Sequence, residues 1–207
     1  PTRPPLRPGA GCPAPRPRFP RHSGALPIID ETHTISSGLG GYTRVHSLSP
    51  DMFVVGKCVA GGMPTAVWGM TEEVAARYAQ ANAARAPGHS GMGTTLSANP
   101  MQFACLKANL SEVMTAKAYA HMEKLAERLS HGLRKVISRA PGPLRNGAAA
   151  GLAHQPQVEA ALHTALLNRG CLIAPFHNMM LISPKTRKAQ VDRLIAAFDT
   201  ALTALFA

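Results

Sequence analysis

Apolar and polar positions change phase abruptly along this chain of 207 residues. Residues 1–24 have no period: they hold eight prolines and five arginines (Arg3, Arg7, Arg16, Arg18, Arg21) with no acidic residue. Proline at that density forbids a helix or a central strand, so an extended, disordered arm is expected. From Ala25 the texture becomes regular. Ala25–Asp30 reads as a strand, and a polar, glycine-rich loop runs on through Gly41. Met52–Gly56 is short and apolar on both faces, as buried strands of parallel sheets are. Thr65–Met70 reads as a further strand. Thr71 is placed to cap a helix running to about Arg85, with Glu72 and Glu73 favourably set at its positive end.

A second glycine-rich loop, 87–99, ends in Asn99-Pro100, a cap followed by proline at the first helical position. The helix it opens carries Phe103, Leu106 and Leu110. A longer helix is predicted from about Thr115 to Ser138, because Tyr119, Met122, Leu125, Leu129, Leu133 and Val136 recur at intervals of three and four. Residues 141–156 are rich in glycine, alanine and proline without a pattern and read as a linker. Beyond it come a helix from Gln157 to Asn168, a strand pair (Cys171–Ala174 and Met179–Ile182) and a last helix capped by Ser183-Pro184. Val191, Leu194, Ile195, Phe198 and Leu202 line one face of that helix. Strands alternating with helices predict an α/β class: a mostly parallel sheet over 25–140, then a small α+β lobe over 157–207.

Composition narrows the class. A hydrophobic share of 45% suits a soluble globular protein, no apolar run is long enough to span a bilayer, and no secretory leader pattern opens the chain, so a cytoplasmic address is expected. The net charge of +11 resembles a nucleic-acid signature. Five of those charges sit in the proline-rich arm, however, and the rest are scattered among glutamates on helices. No basic stripe is interleaved with aromatics, so nucleic acid is not an expected partner. Cys12, Cys58, Cys105 and Cys171 form no CxxC pair, which argues against a structural zinc or a disulfide framework.

The chemistry gathers at Lys57. The apolar strand Met52-Phe-Val-Val-Gly56 delivers this lysine into the turn Cys58-Val-Ala-Gly-Gly-Met-Pro64, and a neighbouring strand ends in Asp30-Glu31. A phosphate-binding loop is excluded, since Gly56-Lys57 precedes Cys58 and not a hydroxyl residue. An amine and a carboxylate at the ends of two adjacent strands are what pyridoxal 5'-phosphate (PLP) requires. The lysine holds the aldehyde as a Schiff base, and the acid keeps the pyridine nitrogen protonated so that the ring acts as an electron sink. His33, His89 and His177 lack metal-ligand spacing and read as loop histidines. Arg187, between Lys185 and Lys188, reads as a solvated helix start.

Three segments carry a more specific signal: Asp30-Glu31-Thr32-His33-Thr34, Val55-Gly56-Lys57-Cys58-Val-Ala-Gly-Gly-Met-Pro64, and Gly93-Thr94-Thr95-Leu-Ser-Ala-Asn-Pro100. In this order and spacing they resemble the class III PLP-dependent aminotransferases, the family of glutamate-1-semialdehyde aminomutase and the omega- and beta-amino-acid transaminases. The resemblance implies part of a fold type I large domain and transfer of an amino group between a small-molecule donor and a keto-acid acceptor. It assigns Lys57 to the Schiff base and to proton transfer, Asp30 to the pyridine nitrogen, and Thr32 to the position packed under the ring. Thr95 matches the threonine that reaches the cofactor phosphate of the other subunit, which implies a homodimer.

Family members are about twice this long, and before the Asp30 strand they carry a phosphate cup and an aromatic residue stacked on the ring. Residues 1–24 supply neither. Three expectations therefore stand side by side: an aminotransferase, a PLP-dependent aminomutase on the same scaffold, and a catalytically incompetent fragment or dimerisation module.

Overall fold

The computed structural model describes residues 24–88, 91–139, 156–175 and 178–206. The proline-rich arm, His89, His177 and nearly all of the 141–156 linker lie outside the described residues. The chain divides into two compact units, one ending at Ala116 and the other beginning at Lys117.

The first unit is built on three short strands, β1 (Ile28–Asp30), β2 (Met52–Val55) and β3 (Val67–Met70), in that order across the sheet. β1 and β2 are parallel, with Ile28 opposite Met52 and Asp30 opposite Val54. The crossover between them holds a 3-10 turn (Ile35–Ser37) and the short helix α1 (Gly41–Val45). β3 runs antiparallel to β2, with Val55 opposite Val67 and Met52 opposite Met70. The expectation of a mostly parallel sheet is thus modified: of the two strand pairs among the described residues, one is antiparallel. The physical reason is the short connection 56–66, which lacks the length of a crossover and must return β3 on the same end of the sheet.

The caps read from the sequence are in place. Thr71 Oγ1 accepts from the Val74 N–H ahead of α2 (Glu72–Ala83), and Asn99 Oδ1 accepts from the Gln102 N–H ahead of α3 (Pro100–Ala108). After α3 the backbone widens into a π turn, Asn109–Val113, closed by Met114 N–H donating to Asn109 C=O at 2.8 Å. Leu106 packs against the core of Ile35, Val55, Val59 and Ala60, whereas Leu110 is half exposed. Phe103, on the same helix, is also exposed.

The second unit holds α4 (Ala116–Arg139, its first residue belonging to the first unit), α5 (Pro156–Asn168) and α6 (Lys188–Phe206). The predicted stripe on α4 is buried at Tyr119, Leu125, Leu129 and Val136. Val136 joins Leu166, Ile173, Phe198, Ala201 and Leu202 in one core, so α4 packs with the residues that follow it. Two local expectations are corrected. Among the described residues, the strand pair after α5 reduces to a single antiparallel bridge, Ala174 to Met179. The last helix starts later than Ser183-Pro184: Thr186 Oγ1 first accepts from the Ser183 N–H in a tight turn. Gln190 Oε1 then accepts from the Arg187 N–H, half of a capping box that sets the start at Lys188.

Leu166 is fully buried at the centre of this core. Leu166→Ala is expected to lower the unfolding free energy of this unit by roughly 2–5 kcal/mol, read from the urea midpoint of far-UV ellipticity.

Candidate active site

Because β1 and β2 are parallel and the β2–β3 connection never leaves one end of the sheet, Asp30 and the Lys57 turn share the carboxyl-end rim. Open α/β sheets bind ligands outside the carboxyl ends of their strands. Asp30 closes β1, and Lys57 stands three positions beyond Val54, the register partner of Asp30. Both side chains are exposed.

Thr32 lies between them. Its N–H donates to Asp30 Oδ1 at 2.9 Å. A Cβ built on Gly56 would stand 3.6 Å from the Thr32 hydroxyl and methyl, so Thr32 faces the residue just before Lys57. Hydrogen bonds from the Thr32 hydroxyl and N–H hold the Asp30 carboxyl below its ordinary range. Slight desolvation opposes them, and the charges of Lys57 and His33 add to the lowering. Asp30 is thus held as an anion, the form that pairs with a protonated ring nitrogen.

Lys57 has an unusual backbone. Its φ is +51°, and it opens the 3-10 turn Lys57–Ala60. A non-glycine residue in the left-handed region costs roughly 1–3 kcal/mol and persists where its surroundings over-determine it. Two contacts do so here. Asn109 Nδ2 donates to Cys58 C=O at 2.8 Å and to Val59 C=O at 2.9 Å. Further along the same connection, Gln102 Nε2 donates to Pro64 C=O at 3.0 Å.

Glu31, next to Asp30, is fully buried. Its carboxylate accepts from the Thr34 hydroxyl, from the Thr43 N–H and hydroxyl, and from the Tyr42 N–H at 3.1 Å. Burial alone would raise the Glu31 carboxyl, but these bonds outweigh it and hold the group below its ordinary value. Gly41 is required beside it: φ is +73°, and a Cβ there would stand 2.8 Å from the carboxylate. Among the described residues Glu31, Asp51 and Asn109 are the buried polar side chains, and two of these fasten the turns that carry Asp30 and Lys57. Sequence reasoning passed over both. An acid between a strand end and a Gly-Gly pair was a usable signal for Glu31, whereas Asn109 offered only an amide inside an otherwise apolar and basic run.

Thr95 stands on a different loop, in the turn closed by Ser97 N–H to Thr94 C=O at 3.0 Å, and is exposed. The structure brings Asp30, Thr32 and Lys57 together and leaves Thr95 outside that group. His33 and Arg187 are exposed. Among the described residues no three His, Cys, Asp or Glu side chains gather as a metal site would need, and no helix is long and apolar enough to cross a membrane.

The parallel β1–β2 pair with a lysine turn and an ionised aspartate on its carboxyl-end rim is part of the PLP-dependent fold type I large domain. Residues 18–202 match the sequence family described as Aminotransferase class-III, and the chain belongs to that family. It is 33% identical over 168 residues to a glutamate-1-semialdehyde 2,1-aminomutase of Anaeromyxobacter sp. (strain Fw109-5), covering 77% of this chain and 37% of that protein. A solved glutamate-1-semialdehyde aminomutase from Pseudomonas aeruginosa PAO1 superposes with a TM-score of 0.79 at 40% identity, over 89% of this chain and 46% of that one. An omega-transaminase from Sphaerobacter thermophilus superposes with a TM-score of 0.70 at 25% identity, over 88% of this chain and 45% of that one. The chain therefore spans less than half the length of each of these three proteins. PLP is the cofactor of this family, and a variant of the Pseudomonas enzyme was solved with PMP.

Proposed function

We propose that this chain carries the lysine-bearing part of a PLP-dependent enzyme that moves an amino group between an amino acid or amine and a keto acid or aldehyde. The observation that carries the reading is that the turn of Lys57 and an ionised Asp30 stand at the same carboxyl ends of adjacent parallel strands. When bound, PLP supplies a conjugated ring that draws electrons from the substrate carbon bearing nitrogen. The residues present fit the ring end of that group. Lys57 Nζ is the attachment point and the base that carries the proton at the reacting carbon. Asp30, steadied by the Thr32 N–H, would hold the ring end through its nitrogen and favour the protonated form, and Thr32 would contribute its methyl to the apolar lining of that end. Thr95 serves the phosphate of a second subunit in a homodimer; this part of the proposal rests on the motif resemblance.

A second reading has specific support: the relatives at 33% and 40% identity are both named as aminomutases, which favours transfer within one substrate over transfer between two. Both readings are tested on the full chain. Mixed with PLP, it is expected to develop a visible absorption band, and borohydride is expected to fix a pyridoxyl group on the peptide containing Lys57. Absence of that labelled peptide would overturn both. Turnover that needs a separate keto-acid acceptor would select the transferase; turnover of an amino aldehyde alone would select the mutase.

A further inference from the structure

We infer that Asn109 is a positioning residue for Lys57, acting through the backbone of the turn that the lysine opens; this rests on the reading of Lys57 as the attachment point. Three observations converge. Lys57 sits at φ +51°, where an L-residue stays only if held. The two carbonyls immediately after it, Cys58 and Val59, both accept from Asn109 Nδ2 at 2.8 and 2.9 Å. Asn109 itself is buried and opens the π turn Asn109–Val113, a distortion that recurs at functional sites.

The arrangement is specific to an amide. One nitrogen with two hydrogens satisfies two carbonyls at once, which no hydroxyl or carboxylate does. Gly61 completes the fit: it lies at φ +65°, and a Cβ there would stand 3.4 Å from Asn109 Oδ1. The turn therefore closes against the amide from both sides. With the amide removed, the buried Val59 carbonyl and the part-buried Cys58 carbonyl lose their donor and Lys57 is free to relax toward an ordinary φ, which swings its amine away from the Asp30 rim.

The test compares lysines within one molecule. The full chain and its Asn109→Asp and Asn109→Leu variants are mixed with PLP, reduced with borohydride and peptide-mapped, with Lys107 as the internal reference. The unaltered chain is expected to label Lys57 in preference to Lys107, and both variants are expected to lose that preference by about tenfold or more while far-UV ellipticity is kept. Preference for Lys57 retained in a folded variant would overturn the inference. No preference in the unaltered chain would instead overturn the reading of Lys57 itself, a separate result. Should both variants unfold, Asn109→Gln decides, since it keeps two donors on a longer stem. Folded chain with Lys57 preference supports the role, folded chain without it overturns the role, and failure to fold also overturns it by making Asn109 a folding requirement only.

Discussion

Lys57→Ala is expected to remove the borohydride-fixed label at position 57 completely while leaving the fold intact. The side chain is exposed and contributes no core packing, so the change in stability is expected within about 0.5 kcal/mol. Lys57→Arg separates charge from nucleophilicity. It keeps a cation beside Asp30, yet a guanidinium stays protonated and cannot form the covalent link, so it too is expected to lose all labelling. Lys57→Gly is expected to gain roughly 1 kcal/mol of stability, because glycine occupies φ +51° without the cost that lysine bears. A Lys57→Gly chain less stable than the parent in urea titration would show that the left-handed backbone at this position is not strained.

Glu31→Ala is expected to cost roughly 3–5 kcal/mol, a large share of the stability of a unit this size. Truncation leaves four donors without their acceptor: the hydroxyls of Thr34 and Thr43 and the N–H groups of Tyr42 and Thr43. Glu31→Gln keeps the shape, but in either orientation its NH2 faces one backbone N–H, which cannot accept, and one threonine hydroxyl, which can turn to accept, so part of the loss is expected to remain. The pH dependence follows from the direction of the shift. The folded carboxyl lies below its ordinary value of 4.5, so this contribution is fully present above about pH 4.5. It is lost as pH falls through the folded value, where the unfolded chain binds the proton first. Urea midpoints that fall more steeply below pH 4.5 in the parent than in Glu31→Gln would bear this out; parallel curves would refute it.

How much of this was legible in the sequence depends on the range of the interaction. Thr71 and Asn99 cap helices through residues three positions away, and the α4 stripe repeats within one helix, so local chemistry sufficed. Asp30 and Lys57 were legible as neighbours because each ends an apolar strand that runs into a glycine-rich turn, so their nearness follows from the strand pattern. The direction of β3 was missed because an apolar strand looks the same read either way, and only the short 56–66 connection distinguishes the two. The late start of α6 was missed because Ser183-Pro184 is a plausible cap, yet the Gln190 side chain fixes a different one. Glu31 and Asn109 were both passed over. The Glu31 donors lie 3 to 12 positions away, close enough for the Gly-Gly pair to hint at them, whereas the Asn109 acceptors lie 50 to 51 positions away and nothing in a sequence window reports their convergence.

The pairing of Asp30 with Val54 also acts as a ruler. Successive strand residues point to opposite faces, so one residue inserted within β2 would put everything beyond it out of register with β1 and shift the Lys57 turn relative to Asp30. An extra residue placed between Val45 and Pro50, in the crossover, would be absorbed by the loop without disturbing either strand end. Scanning insertions along these two stretches would map where spacing is counted and where it is slack, and so how much loop engineering this scaffold tolerates.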